Sequence, residues 1–69
     1  MEFFELKKYL KAIRMGKASN IAKMNTDYKR VFDYLKERGF IENWPGSLEK
    51  IILSKTGNEI LDELERKDN

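Results

Sequence analysis

The sequence predicts an α+β chain, mostly α, in the order helix, short helix, helix, two-stranded β-hairpin, C-terminal helix. Three observations carry this. Apolar residues recur at helical spacing from Glu2 to Arg14 and again from Tyr28 to Arg38. Phe40–Trp44 and Glu49–Ser54 read as strands, with Pro45, Gly46 and Ser47 as the turn between them. Helical spacing then returns in Ile60, Leu61 and Leu64.

In the first helix Phe3, Leu6, Leu10 and Ile13 form the apolar stripe, and Glu2 and Glu5 lie in the first turn, where the helix dipole favours acids. Met15, Gly16 and Lys17 break it. Ser19 is the expected cap of a short helix through Met24, with Ile21 and Met24 turned inward. Asn25 or Thr26 caps the third helix, which runs to Arg38 and buries Tyr28, Val31, Phe32 and Leu35. Its opposite side is centred on Thr26, Arg30, Asp33 and Glu37, with Lys29 and Lys36 on one flank. Gly39 suits the left-handed residue that ends a helix. Thr56, Gly57, Asn58 and Glu59 match a T-x-x-E capping box for the last helix. The tail from Arg66 is expected to fray. Phe4, Tyr9 and Tyr34 lie beside the stripes and could widen the core or meet a partner.

At 69 residues the chain reads as one domain. A domain this small buries roughly 60% of the surface its unfolded chain exposes, so its core is thin and pairing with a second copy would help it. Cysteine and histidine are both absent, which removes disulfides, thiolate chemistry and the usual metal ligands and general bases. Paired carboxylates such as Asp62 and Glu63 sit on a solvated helix, and no glycine-rich phosphate loop exists. The expectation is a protein that is not an enzyme and takes no cofactor or metal. No apolar run approaches the roughly 20 residues of a membrane span, and a cytoplasmic or nucleoid-associated location is expected. Gln is absent and Lys, Glu and Ile are frequent, a balance also found in thermophile proteins.

The net charge of +2 conceals an asymmetry: Met1–Arg38 carries a surplus of +5 and Gly39–Asn69 a deficit of −3. One molecule could thus present a nucleic-acid face and a face that avoids it. A short helix, a tight turn and a second helix make a helix-turn-helix, whose second helix enters the major groove.

Three stretches resemble the winged helix-turn-helix superfamily, particularly small archaeal-type DNA-binding members and the related MarR-like and PadR-like regulators. Residues 19–23 (SNIAK) resemble the motif's first helix, and residues 28–41 (YKRVFDYLKERGFI) a recognition helix with its Gly-hydrophobic-Ile entry to the wing. Residues 53–57 (LSKTG) resemble the run that closes the wing and starts the last helix. The resemblance implies a double-stranded DNA-binding protein, a transcriptional regulator or small chromatin-type protein, with the helix 26–38 in the major groove.

Lys29 and Arg30 lie on the exposed part of that helix. Arg30 could bond a guanine edge and Lys29 a phosphate, or Arg30 could simply pair with Asp33 at i+3. Asp33 could accept from a cytosine amine, although holding Arg30 is the plainer role. Asn25, Thr26 and Asp27 stand where a phosphate would meet free N–H groups, and Lys17, Ser19, Asn20 and Lys23 flank the first motif helix for phosphate contact. The wing comprises Trp44, Gly46, Ser47 and Lys50; Trp44 could instead cover the hairpin base, its indole N–H seeking a partner. Phe3 or Phe4 with Ile60, Leu61 and Leu64 could form a homodimer seam. The rival function is a protein-interaction module or small subunit that does not bind DNA. It is motivated by the low net charge, the acidic second half and a wing with Glu42, Glu49 and one cation.

Overall fold

The computed structural model describes the backbone from Phe3 to Lys67 and the side chains from Glu5 to Lys67. Four helices and a two-stranded antiparallel sheet make an α+β fold that is mostly helical: α1 (Phe3–Arg14), α2 (Ala18–Met24), α3 (Tyr28–Glu37), β1 (Ile41–Glu42), β2 (Ile52–Leu53) and α4 (Lys55–Lys67). A single 3₁₀ turn, Leu48–Lys50, interrupts the path between the strands.

The core is one cluster to which every element contributes. Tyr9, Leu10 and Ile13 come from α1, Ala18 and Ile21 from α2, and Val31, Phe32 and Leu35 from α3. Ile41, Ile51 and Leu53 come from the hairpin, and Leu61 and Leu64 from α4. Tyr9 is buried and Tyr34 packs half-buried against the cluster, so both widen the core. α1 packs on α2, on β2 and on α4, while β1 packs on α3. The strands pair Ile41 with Leu53 and Glu42 with Ile52, which turns Ile41 and Leu53 inward.

Helix ends follow from backbone bonding. At the end of α3 the Phe40 N–H donates to the Leu35 carbonyl and the Gly39 N–H to that of Lys36, with Gly39 at φ 75°. This paired closure satisfies the last carbonyls and needs a left-handed residue, as expected for Gly39.

Several local expectations are corrected. Helix α2 begins at Ala18, so Ser19 lies inside its first turn and Lys17, whose side chain makes no capping bond, holds the cap position. Met24 is 49% exposed, because α2 ends there and Asn25 turns extended, lifting the last side chain off the core. Neither Asn25 nor Thr26 caps α3; Asp27 is at its cap position, and Asn25 Oδ1 accepts the Asp27 N–H at 2.8 Å, closing a side-chain turn two residues long.

The two long strands shrink to two residues each. The Trp44–Pro45 bond is cis. Asn43 takes φ 72°, which turns the chain out of the ladder after Glu42, and its Nδ2 donates to the Lys50 carbonyl to close the loop. Leu48 then packs half-buried on the core, and the 3₁₀ turn lies against α2.

The capping box at Thr56 is not used. Helix α4 starts at Lys55, and Ser54 caps it: its Oγ accepts the Gly57 N–H at 3.0 Å. The Ser54 hydroxyl also donates to the Gly39 carbonyl, and its N–H donates to the Phe40 carbonyl at 2.9 Å. One residue thus ties the end of α3, the start of the hairpin and the start of α4. Gly57 is buried in the first turn of α4, and a Cβ there would stand 2.1 Å from the Phe40 carbonyl oxygen. It is a close-approach residue, where the lack of a side chain lets α4 reach the hairpin. At the other end α4 continues to Lys67, and Arg66 pairs with Glu63, so helix persists where fraying was expected.

Candidate nucleic-acid interface

Helices α2 and α3 are joined by the three-residue turn Asn25–Asp27 and pack on each other. The inner side of α3 is anchored by Val31, Phe32 and Leu35. Lys29, Arg30, Asp33, Lys36 and Glu37 are all exposed, as the 100° spacing requires. Lys17, Ser19, Asn20 and Lys23 are exposed on or beside α2, and Thr26 and Asp27 are exposed in the turn. Asn25 is half-buried and donates a long bond, 3.4 Å, from Nδ2 to the Tyr9 hydroxyl. The expected polar residues of α2, the turn and α3 are therefore exposed on two helices that pack together, with Asn25 alone half-buried among them.

The pairing of charges differs from expectation. Arg30 does not pair with Asp33. Instead Asp33 Oδ1 accepts the Trp44 indole N–H at 2.8 Å, and the Trp44 ring packs on Phe32 at a centroid distance of 5.0 Å. Phe32 also meets the Tyr28 ring edge-on at 6.1 Å. Trp44 is thus the lid of an aromatic group on α3, and its N–H has the partner that a part-buried indole needs. Among the described residues Lys17, Lys23, Lys29 and Arg30 form no ion pair. Arg30 borders a shallow cleft of about 290 Å³ between α1 and α3, lined also by Glu5, Tyr9 and Tyr34.

Arg14, by contrast, is committed elsewhere. Its guanidinium donates to Asn58 Oδ1, to the Asn58 carbonyl and to Asp62 Oδ1, the last at 2.7 Å, with Glu65 at 4.0 Å. This clamp binds α1 to α4 and draws on the acids of the second half. In the sequence, the place of Arg14 next to Ile13, at the end of the buried stripe, is the signal that it faces another element. Arg38 lies over the Tyr34 ring, 5.1 Å from its centroid, at the far end of α3.

The other residues expected in a wing, Gly46, Ser47 and Lys50, are exposed in the loop between the strands. Leu61 and Leu64 are 0% and 4% exposed within this chain's own core, so the proposed dimer seam loses both. Ile60 is half-buried against the same core, and the Phe3 and Phe4 side chains lie outside the described residues. Among the described residues no group of carboxylates could hold a metal ion, and no helix is long and apolar enough to cross a membrane. Comparison with known proteins finds no match to this chain, neither a family model nor a curated protein nor a solved structure.

Proposed function

We propose that the chain is a winged-helix protein that binds double-stranded DNA, with α3 in the major groove. Its role would be that of a transcriptional regulator or small chromatin-type protein. The observation that carries the reading is the α2–turn–α3 pair: an anchored helix whose outer side bears Lys29 and Arg30, neither in an ion pair among the described residues. The charge sorting supports it. Arg14 is matched to Asp62 and Glu65 on α4, while Lys17 before α2 and Lys23 on it form no ion pair among the described residues and are open to phosphates. The order of the remaining elements, a hairpin and then a closing helix, is that of the winged-helix plan.

A gel-shift titration of a generic duplex over a range of salt tests this. Four to six phosphate contacts give a slope of log K against log salt of about −4 to −5. Absence of binding to any duplex at low salt would sink the proposal. The rival reading, a protein-interaction module, draws on the exposed apolar residues Met24 and Ile52. On that reading Arg30→Ala leaves duplex binding unchanged; on the DNA reading it weakens it.

A further inference from the structure

The contact between Trp44 and Asp33 has a consequence for which bases α3 would read. An unattached carboxylate on a groove-facing helix is repelled by phosphates and swings freely. Asp33 is neither unattached nor neutralised by a cation. Its Oδ1 is fixed by a neutral donor, the Trp44 N–H, at 2.8 Å, and the indole is itself held by its packing on Phe32. Oδ2 takes no hydrogen bond among the described residues. The result is a pre-positioned carboxylate acceptor on the exposed side of α3.

We infer that Asp33, held in place by Trp44, is a specificity-determining residue that accepts a hydrogen bond from a cytosine amino group in the major groove. The inference rests on the DNA-binding reading above. In the major groove cytosine offers its N4 amine as a donor where thymine offers O4 as an acceptor, so a fixed carboxylate tells them apart. Arg30 stands three residues earlier, about 4.5 Å along the helix axis and some 60° around it. That offset is close to one base-pair step, and Arg30 has no ion pair among the described residues and is suited to guanine O6 and N7. The two side chains together fit a C·G pair next to a guanine contact. Had Arg30 and Asp33 paired with each other, neither would be available.

The test is selection of bound duplexes from a pool with a randomised centre, followed by affinity measurements on the enriched duplex. The wild-type protein is expected to enrich cytosine at one fixed position, and replacing that C·G by T·A should weaken binding about 5- to 150-fold. Asp33→Asn can still accept the indole N–H through its amide oxygen and then presents an NH₂ donor. It should lose the cytosine preference and favour an acceptor base at the same position. Trp44→Phe keeps the charge and the ring packing but frees the carboxylate. It should retain the salt slope while the C·G to T·A penalty falls to within about threefold, a split that a merely structural role for Trp44 would not produce. Near-native circular dichroism of both variants confirms that they fold. Wild-type binding without base preference, or an unchanged cytosine preference in Asp33→Asn, would overturn the inference while leaving DNA binding intact. No binding to any member of the pool would overturn both.

Discussion

Gly57→Ala is the perturbation that most sharply tests how α4 is seated. The added Cβ would lie 2.1 Å from the Phe40 carbonyl oxygen and 3.0 Å from the carbonyl carbon. Helix and hairpin must separate by about 0.9 Å before the Cβ–oxygen distance reaches even 3.0 Å. Both colliding groups belong to the backbone, so no side-chain rotation relieves the overlap. The shift would also strain the Ser54 bonds to Gly39 and Phe40. Overpacking of this kind costs about 3 kcal/mol at the upper end of its usual range, and alanine's better helix propensity returns about 1 kcal/mol. A net loss of about 2 kcal/mol is large for a chain whose total stability should be about 3–10 kcal/mol. For a domain of this size it corresponds to a fall in melting temperature of about 8–16 °C. Thermal denaturation followed by far-ultraviolet circular dichroism measures it, with Thr56→Ala, at an exposed neighbouring position, as the control. A Gly57→Ala protein that melts at or above the wild-type temperature would refute the close approach of α4 to Phe40.

Other perturbations separate the remaining contacts. Ser54→Ala removes the α4 cap and the bond to Gly39, and should lower stability by about 1–2 kcal/mol in urea unfolding without changing the slope. Arg14→Met keeps the aliphatic stem but loses the clamp on Asn58 and Asp62; because the groups are partly exposed and screened by solvent, a loss of about 0.5–1 kcal/mol is expected, shrinking at about 1 M salt. Leu61→Ala empties a fully buried position and should cost about 2–5 kcal/mol. Since Leu61 and Leu64 are spent inside the core, sedimentation of the wild-type chain at tens of micromolar should give a monomer; a dimer that Leu61→Ala dissolves without unfolding would contradict their placement.

The elements that sequence reading placed well are those whose apolar period is long enough to average out local accidents. The stripes of α1 and α3 are in register with Leu10, Ile13, Val31, Phe32 and Leu35, all buried. Gly39 was legible because a helix end that needs a left-handed residue has few candidates. What sequence reading missed depends on contacts between distant elements. The T-x-x-E pattern at Thr56 is a sound local signal, but Ser54 wins because Gly57 lets α4 drop onto Phe40, fixing where the helix begins. Strand length was overread because β-branched composition does not reveal that Asn43 turns left-handed and Leu48 folds toward the core. The exposed side of α3 was legible as a set of residues, yet not as a bonding pattern. An i+3 spacing made Arg30 the natural partner of Asp33, whereas the indole eleven residues away takes that carboxylate.

On the proposed function, the α2–turn–α3 surface meets duplex DNA. The most direct measurement is the change in amide chemical shifts of the isotope-labelled chain on adding a generic duplex at low salt. Binding through α3 predicts shifts concentrated at Lys17, Lys23 and the Thr26–Asp33 segment, extending to the Trp44 indole N–H, with Asp62 and Glu63 on α4 unmoved. Shifts concentrated on α4, or none at saturating duplex, would contradict it.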